Sequence, residues 1–298
     1  MVDVSLTPLA SERAIVDRAL STVAQQELRA ATGRVAEAIR YALAGSGKRI
    51  RGAIVLAAYR AAGGLGDVSG LAAAVEIVHA YSLVHDDLPC MDDDDYRRGR
   101  LTVHRQFDVR TATIAGVAMV PIAVRAAYRS ARAMGLAPRQ SQEIVRELMV
   151  ASGASGMVGG QWLDLAGAGS AMTIDALERL HRMKTGALLC ASARIGAIAA
   201  GADARVLAAL NTYGAELGLA FQIVDDVLDV TSTSEVLGKT AGIDASRGKT
   251  TYPALLGVEG ARTRAREHAN AAREALRGLG LQTEELDALA RYAVERSV

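Results

Sequence analysis

The sequence predicts an all-α protein. Half of its 298 residues are apolar, only 4% are aromatic, and just five prolines interrupt the chain. Alanine and leucine, both strong helix formers, supply much of the apolar content, whereas sheets draw on aromatic and β-branched residues. Apolar positions recur at three- and four-residue intervals, and no strand-like alternation persists beyond a few residues.

Helices are expected near 9–30, 32–44, 48–63, 68–88, 108–135, 138–157, 173–201, 203–231, 250–258, 260–277 and 282–296. Breaks fall at Gly45-Ser46-Gly47, Gly63-Gly64, Pro89, Gly135 to Pro138, Gly167 to Gly169, Gly201 and Ser232 to Gly248. Glycine and proline end helices by backbone freedom and by a missing N–H. Start signals support two of these helices. Thr173 puts Asp175 early in the first turn, and Thr283 precedes Glu284 and Glu285. No composition shift marks a linker, so one domain over 1–298 is the economical organisation.

The formal net charge is +1, which gives a general nucleic-acid role no electrostatic support. Two cysteines, Cys90 and Cys190, fit neither a zinc spacing nor a disulfide framework and suit a reducing cytoplasm. The N-terminus lacks the basic start and apolar run of a signal peptide. The longest uncharged stretch in mid-chain, Thr111 to Val124, is 14 residues and contains Pro121. A membrane span needs about 20, so a core helix is expected there.

Chemistry concentrates in two acidic clusters. The first, His85-Asp86-Asp87-Leu88-Pro89-Cys90-Met91 then Asp92 to Asp95, follows an apolar helix and precedes Arg97-Arg98. On that helix His79 and Asp86 lie within about 20°, with Ser82 between them. Pro89 ends the helix, and its C-terminal partial negative charge adds to the attraction for cations. A turn through Pro89 is expected to bring Asp92 back beside Asp86. A solvated acidic loop at 92–95 is the competing account.

The second cluster places Asp225 and Asp229 on one helical face, with Gly218, Phe221 and Gln222 nearby and Asp226 about 100° away. Like charges on one turn destabilise a helix unless a cation lies between them, although a simply solvent-facing pair stays open. Hard divalent cations take oxygen ligands, and Mg²⁺ commonly brings substrate phosphates with it. Both clusters together therefore point to metal-assisted handling of a diphosphate.

Basic residues supply the complement. Gly45 to Gly47 leads into Lys48-Arg49-Ile50-Arg51, an anion-suited helix start that is not a P-loop. Arg97-Arg98 suit phosphate oxygens. Lys184-Thr185 sits in an apolar helix, where snorkelling to the surface explains it equally well. Lys239 to Lys249 is either a loop that closes over a bound diphosphate or an ordinary surface loop.

Taken together, six ordered segments resemble the all-trans polyprenyl diphosphate synthases, specifically the bacterial short-chain farnesyl/geranylgeranyl type: GSGKRIR at 45–51, EIVHAYSLVHDDLPCMDDDDYRRG at 76–99, GMVGGQWLDL at 156–165, LHRMKTGAL at 180–188, GLAFQIVDDVLDV at 218–230 and LGKTAGIDASRGKTTYPALLG at 237–257. The resemblance implies an isoprenoid-synthase-type helical bundle around a deep central cavity, usually a homodimer. It implies that Asp86, Asp92 and Asp225 bind three Mg²⁺ ions, with Asp87, Asp226 and Asp229 supporting. Arg97, Lys184 and Lys239 would hold the allylic diphosphate, and Lys48, Arg51, His79 and Arg98 the isopentenyl diphosphate. Thr185 and Gln222 would flank the allylic cation, and Lys249 would belong to the closing loop.

Product length is expected to follow Tyr81 and Ser82, five and four residues before Asp86. A tyrosine there resembles farnesyl synthases, although the helical wheel puts Tyr81 about 140° from Asp86. A C15 product is expected, with C20 as the alternative. Two departures from the family pattern stand out. Gly52 replaces the usual proline, which suggests a looser helix start, and Gly116-Val117 replaces Gly-Asp, which suggests a lost acid behind the first cluster. A class I terpene cyclase would carry an Asn/Asp-x-x-Ser/Thr-x-x-x-Glu second motif, where this chain has Asp225-Asp226-x-x-Asp229. A non-catalytic partner subunit would have lost ligands, whereas both clusters are whole.

Overall fold

Alternating apolar stripes and well-placed caps give a bundle of helices in the computed structural model, which describes residues 9–167, 169, 171–232 and 248–296. The helices are α1 Ala10–Glu27, α2 Arg34–Leu43, α3 Ile50–Ala61, α4 Ser69–Asp86, α5 Val103–Gln106, α6 Val109–Ala133, α7 Pro138–Ser152, α8 Met157–Gly167, α9 Ile174–His181, α10 Ala187–Ala199, α11 Ala204–Thr231, α12 Tyr252–Ala275 and α13 Glu284–Glu295. Asp108 caps α6 by accepting the Thr111 amide at 2.7 Å, and Asp203 caps α11 through the Val206 amide at 2.9 Å. Thr173 and Thr251 cap α9 and α12 in the same way. These side chains satisfy amides that a helix start leaves without partners. Thr283 makes no such bond, although Glu284 and Glu285 do occupy the first turn of α13.

The helices carrying the acidic clusters are central. α4 packs on α6, α1 and α3, and α11 packs on α10 and α12. One apolar core gathers Leu71, Ile77, Met119, Ile144 and Leu148; a second gathers Ile54, Leu189, Leu210, Tyr213 and Leu286. Burial on this scale, about 25 cal/mol per Å² of apolar surface, is what holds the acid-bearing helices in place. α6 is the one helix among the described residues long and apolar enough to cross a membrane, but half of that stretch is buried in the bundle, as in a core helix.

Several elements differ from expectation. The helix expected over 138–157 ends at Ser152, and α8 is a separate helix that the pattern did not predict. The stretch 173–201 is split by a π turn, Arg182–Gly186. The helices expected at 250–258 and 260–277 run together as α12, kinked at Gly257 (φ 69°). A small hairpin, β1 Tyr96–Arg97 and β2 Arg100–Leu101, pairs Tyr96 with Leu101 and Arg97 with Arg100. Its two-residue turn, Arg98-Gly99, has positive φ at both positions (53° and 74°), the geometry that suits the twist of paired strands.

Candidate active site

α4 ends at Asp86, and Pro89 turns the chain back so that the Asp92 amide donates to the Asp86 carbonyl at 2.8 Å. The expected return of Asp92 to Asp86 is thus present, and 92–95 is not simply a solvated loop. The hairpin that follows aims two arginines. Arg97 donates through Nε to Asp87 Oδ1 at 2.7 Å, and Arg98 donates through Nη1 to the Ser46 carbonyl at 2.7 Å. Arg49 and Arg98 both adopt left-handed backbone. Such strain in a non-glycine residue persists only where surrounding contacts enforce it.

Across from this wall, α11 presents Phe221, Gln222 and Asp225 to the same space. Asp226 points elsewhere, as the wheel predicts, and accepts from Gln222 Nε2 at 3.0 Å and from the Tyr252 amide at 3.1 Å. It therefore ties α11 to the start of α12. Thr185 donates to Gln222 Oε1 at 3.1 Å, so the amide of Gln222 is fixed at both ends. Asp229 is buried.

Lys184 stands in the π turn, a distortion that often marks functional positions. A Cβ on Gly160 would lie 2.2 Å from the Lys184 amide nitrogen, so only glycine lets α8 come this close. Lys184 does not snorkel to bulk solvent. Its Nζ lies 2.5 Å from Asp164 Oδ2, and Lys249 Nζ bridges Asp164 Oδ2 and Asp92 Oδ1 at 3.2 Å each. Lys249 thereby links the segment after the second cluster to the first.

Eleven sequence-predicted residues line one open cavity of ≈ 260 Å³: Lys48, Arg51, His79, Ser82, Asp86, Arg97, Arg98, Lys184, Thr185, Gln222 and Asp225. Tyr81 does not line it. Tyr81 is buried edge-on against His85, with its hydroxyl 3.5 Å from the Ser152 carbonyl, so the wheel's warning about its direction holds for this cavity. Lys239 lies outside the described residues.

Charge is unevenly compensated here. Burial, despite Lys184 and with repulsion from Asp92, pushes the Asp86 carboxyl up to about 6. Asp164 goes the other way: burial raises it, but Lys184 and Lys249 more than offset this and hold it low. His79 is driven well below the ordinary histidine range by burial and by Arg51, Arg98, Arg97 and Arg49, which leaves a neutral imidazole.

The structure also reveals residues the sequence did not single out. Asp164 anchors both lysines. Gln161 faces the cavity with both amide atoms buried and without a hydrogen-bond partner. Arg296, next to the C-terminus, bonds Asp225 Oδ1 at 2.8 Å and stacks 3.6 Å from the centre of the Phe221 ring. No local pattern announces Arg296, because its partners lie about 70 residues away in the chain.

The two departures read differently in three dimensions. Val117 is 61% exposed on the outer face of α6, so its side chain leaves no gap behind the first cluster. Gly52 does not simply loosen α3: its amide donates to Glu76 Oε1 at 2.9 Å, a bond that proline cannot make.

The acidic donors at the cavity are carboxylate oxygens, the type hard divalent cations select. Among the described residues, no three His, Cys, Asp or Glu side chains lie close enough to hold an ion by themselves. A divalent cation there would take its remaining ligands from phosphate and water, as Mg²⁺ commonly does.

The polyprenyl synthetase family model matches residues 33–287. The chain belongs to the polyprenyl synthetase family. Its curated relatives include the farnesyl diphosphate synthase of Escherichia coli (strain K12), 45% identical over 88% of this chain and 89% of that protein. They also include geranylgeranyl pyrophosphate synthase 11 of Arabidopsis thaliana, 42% identical over 82% of this chain and 69% of that protein. Among solved structures, a geranyltransferase from Helicobacter pylori, complexed with magnesium and isoprenyl diphosphate, superposes with a TM-score of 0.79 at 28% identity, covering 96% of this chain and 94% of that one. This polyprenyl synthetase thus has the all-α fold expected of it.

Proposed function

We propose that this chain is a Mg²⁺-dependent trans-prenyltransferase that condenses isopentenyl diphosphate with dimethylallyl or geranyl diphosphate, giving farnesyl diphosphate as its main product. The observation that carries this reading is that Asp86 and Asp225, 139 positions apart, line one cavity with six lysine and arginine side chains.

In this reading Asp86, Asp92 and Asp225 are the ligands of three Mg²⁺ ions, which when bound neutralise charge on the leaving diphosphate. Asp87 supports Arg97, Asp226 supports Gln222, and Asp229 backs the second cluster. Arg97, Lys184 and Lys239 grip the allylic diphosphate. Lys48, Arg51, neutral His79 and Arg98 grip isopentenyl diphosphate, with Lys249 holding the later segment against the first cluster. Heterolysis of the allylic carbon–oxygen bond gives diphosphate and an allylic cation. The double bond of isopentenyl diphosphate then attacks that cation, forms the new carbon–carbon bond and loses a proton. Donors aimed at the departing oxygens act most strongly in the transition state, where stabilisation accelerates reaction. Thr185 and the fixed amide of Gln222 present oxygen dipoles to the cation, and Ile50, Leu83, Met157 and Phe221 supply the apolar part of the cavity wall.

Tyr81 and Ser82 remain the candidates for setting chain length, Ser82 from the cavity wall and Tyr81 from the packing behind it. A cytoplasmic homodimer belongs to the same reading. Both cysteines are free, and Ile114, Val117 and Tyr128 give α6 an exposed apolar face for a second copy. Light scattering at twice the chain mass supports the dimer, and a monomer at micromolar concentration refutes it.

The decisive test is incubation with Mg²⁺, labelled isopentenyl diphosphate and each of dimethylallyl, geranyl and farnesyl diphosphate, followed by product sizing. Farnesyl diphosphate from the first two primers, with little extension of the third, is expected. Efficient extension of farnesyl diphosphate makes this a C20 enzyme, and a cyclic product or none overturns prenyl elongation.

A further inference from the structure

We propose that Glu76 is a positioning residue for the isopentenyl diphosphate end of the site, the buried counter-ion that keeps its arginines aimed, and that Gly52 supplies the N–H that holds Glu76. This role rests on the function proposed above.

Glu76 lies on α4 about three turns before Asp87 and on the same face, and it is 2% exposed. It borders both the main cavity, beside Arg51 and His79, and an adjoining pocket lined by Arg49, Arg98 and Arg100. Its Oε1 accepts the Gly52 amide at 2.9 Å, and its Oε2 lies 3.9 Å from Arg49 Nη1. Glu76 is also the main opposing charge felt by Arg51, ahead of Asp225.

A buried carboxylate inside an anion-binding site looks counterproductive, since it repels the ligand. The reason lies in the enzyme before substrate binds. Arg49, Arg51 and Arg98 are crowded together, with Arg49 nearly shielded from water, Arg51 partly so and Arg98 at the exposed rim, and desolvation followed by the neighbouring arginines lowers the Arg98 guanidinium. Without a diphosphate, such a cluster swings apart or draws in other anions. Arg51 needs this most, because its buried Nε has no hydrogen-bond partner. One fixed negative charge keeps the guanidiniums in place at the cost of some attraction, and a trianionic ligand outweighs it. Preorganisation of this kind removes the ordering cost from binding.

Gly52 makes the arrangement possible twice over. A proline here would have no N–H for Glu76. Any side chain would also strike α1, because a Cβ would sit 2.8 Å from Val16 Cγ2. The departure from proline is therefore coupled to where Glu76 stands.

Glu76→Gln tests the charge at constant shape, since the amide oxygen still accepts from Gly52. The assay measures KM for isopentenyl diphosphate, KM for geranyl diphosphate and kcat, with the melting temperature as a fold control. The expected result is at least a tenfold rise in KM for isopentenyl diphosphate, with KM for geranyl diphosphate within twofold and kcat within threefold. Glu76→Asp, which keeps the charge and shortens its reach, is expected to recover part of the loss, and it carries the test if the glutamine variant does not fold. An unchanged or lower KM for isopentenyl diphosphate overturns the role, because the carboxylate would then be only a competing anion. An equal rise in both KM values, or an aspartate variant no better than glutamine, overturns it too. A wild-type chain that consumes no isopentenyl diphosphate overturns the underlying function and this role with it.

Discussion

Replacing Asp86 by asparagine is expected to make the metal-free protein more stable and the enzyme nearly inactive. In the fold, burial and then the Asp92 and Asp87 charges hold this carboxyl at about 6, against 3.8 for an unperturbed aspartate. Between those values the native protein keeps a proton that the unfolded chain has released, so stability falls as pH rises through this window. At pH 7.5 the ionised carboxylate costs up to about 3 kcal/mol, at about 1.4 kcal/mol per pKa unit. Solvent in the open cavity screens part of this, leaving about 1–2 kcal/mol. Asparagine removes that cost, and a melting temperature higher by about 2–6 °C is expected for a chain of this size. The gain should shrink to about a third at pH 4.5, where the native carboxyl is still protonated and the remaining cost comes only from the proton the unfolded chain has released above 3.8. The check is scanning fluorimetry of both proteins in chelator across pH 4.5–7.5, alongside initial rates with Mg²⁺. A variant no more stable than wild type at pH 7.5, or one whose gain ignores pH, would refute the claim that Asp86 is held uncompensated for a cation.

The remaining predictions concern the other wall and the product. Asp225→Ala should lower kcat by at least about a hundredfold, since one missing electrostatic group at a transition state costs that much. It should also free Arg296 from its 2.8 Å bond, and wild-type turnover would remove Asp225 from the metal assignment. Tyr81→Ala should lengthen the main product by one five-carbon unit and cost about 3–5 kcal/mol, as truncating a buried ring does. An unchanged product profile, read by chromatography, would exclude Tyr81 from chain-length control.

Most of the chemistry is legible because it is local. Asp86 and Asp87 after an apolar helix, Arg97-Arg98 after the turn, and the i, i+4 pair Asp225/Asp229 each follow from residue type and spacing alone. The helical periods of α4, α6 and α11 were equally plain, and so was the return of Asp92 through Pro89. Harder to read were features that depend on partners distant in the chain. The π turn around Lys184 arises where α8 presses against it at Gly160, and no periodicity encodes it. α8 itself went unread because glycines at 156, 159 and 160 look like a break until close packing explains them. The Arg98-Gly99 turn did carry a signal, since a residue–glycine pair suits a two-residue hairpin, but four paired residues leave no alternation to detect.

By itself the sequence determined the all-α class, the two acid clusters and the basic residues that complement them, because backbone propensity and side-chain chemistry reside in neighbouring residues. The tertiary structure decided which of these groups face one another. Packing brought Asp86 and Asp225 to one cavity, turned Tyr81 and Val117 away from it, and recruited Asp164, Glu76 and Arg296 as counter-ions. Electrostatic energy depends on distance and burial, and both are set only when the helices close on their cores.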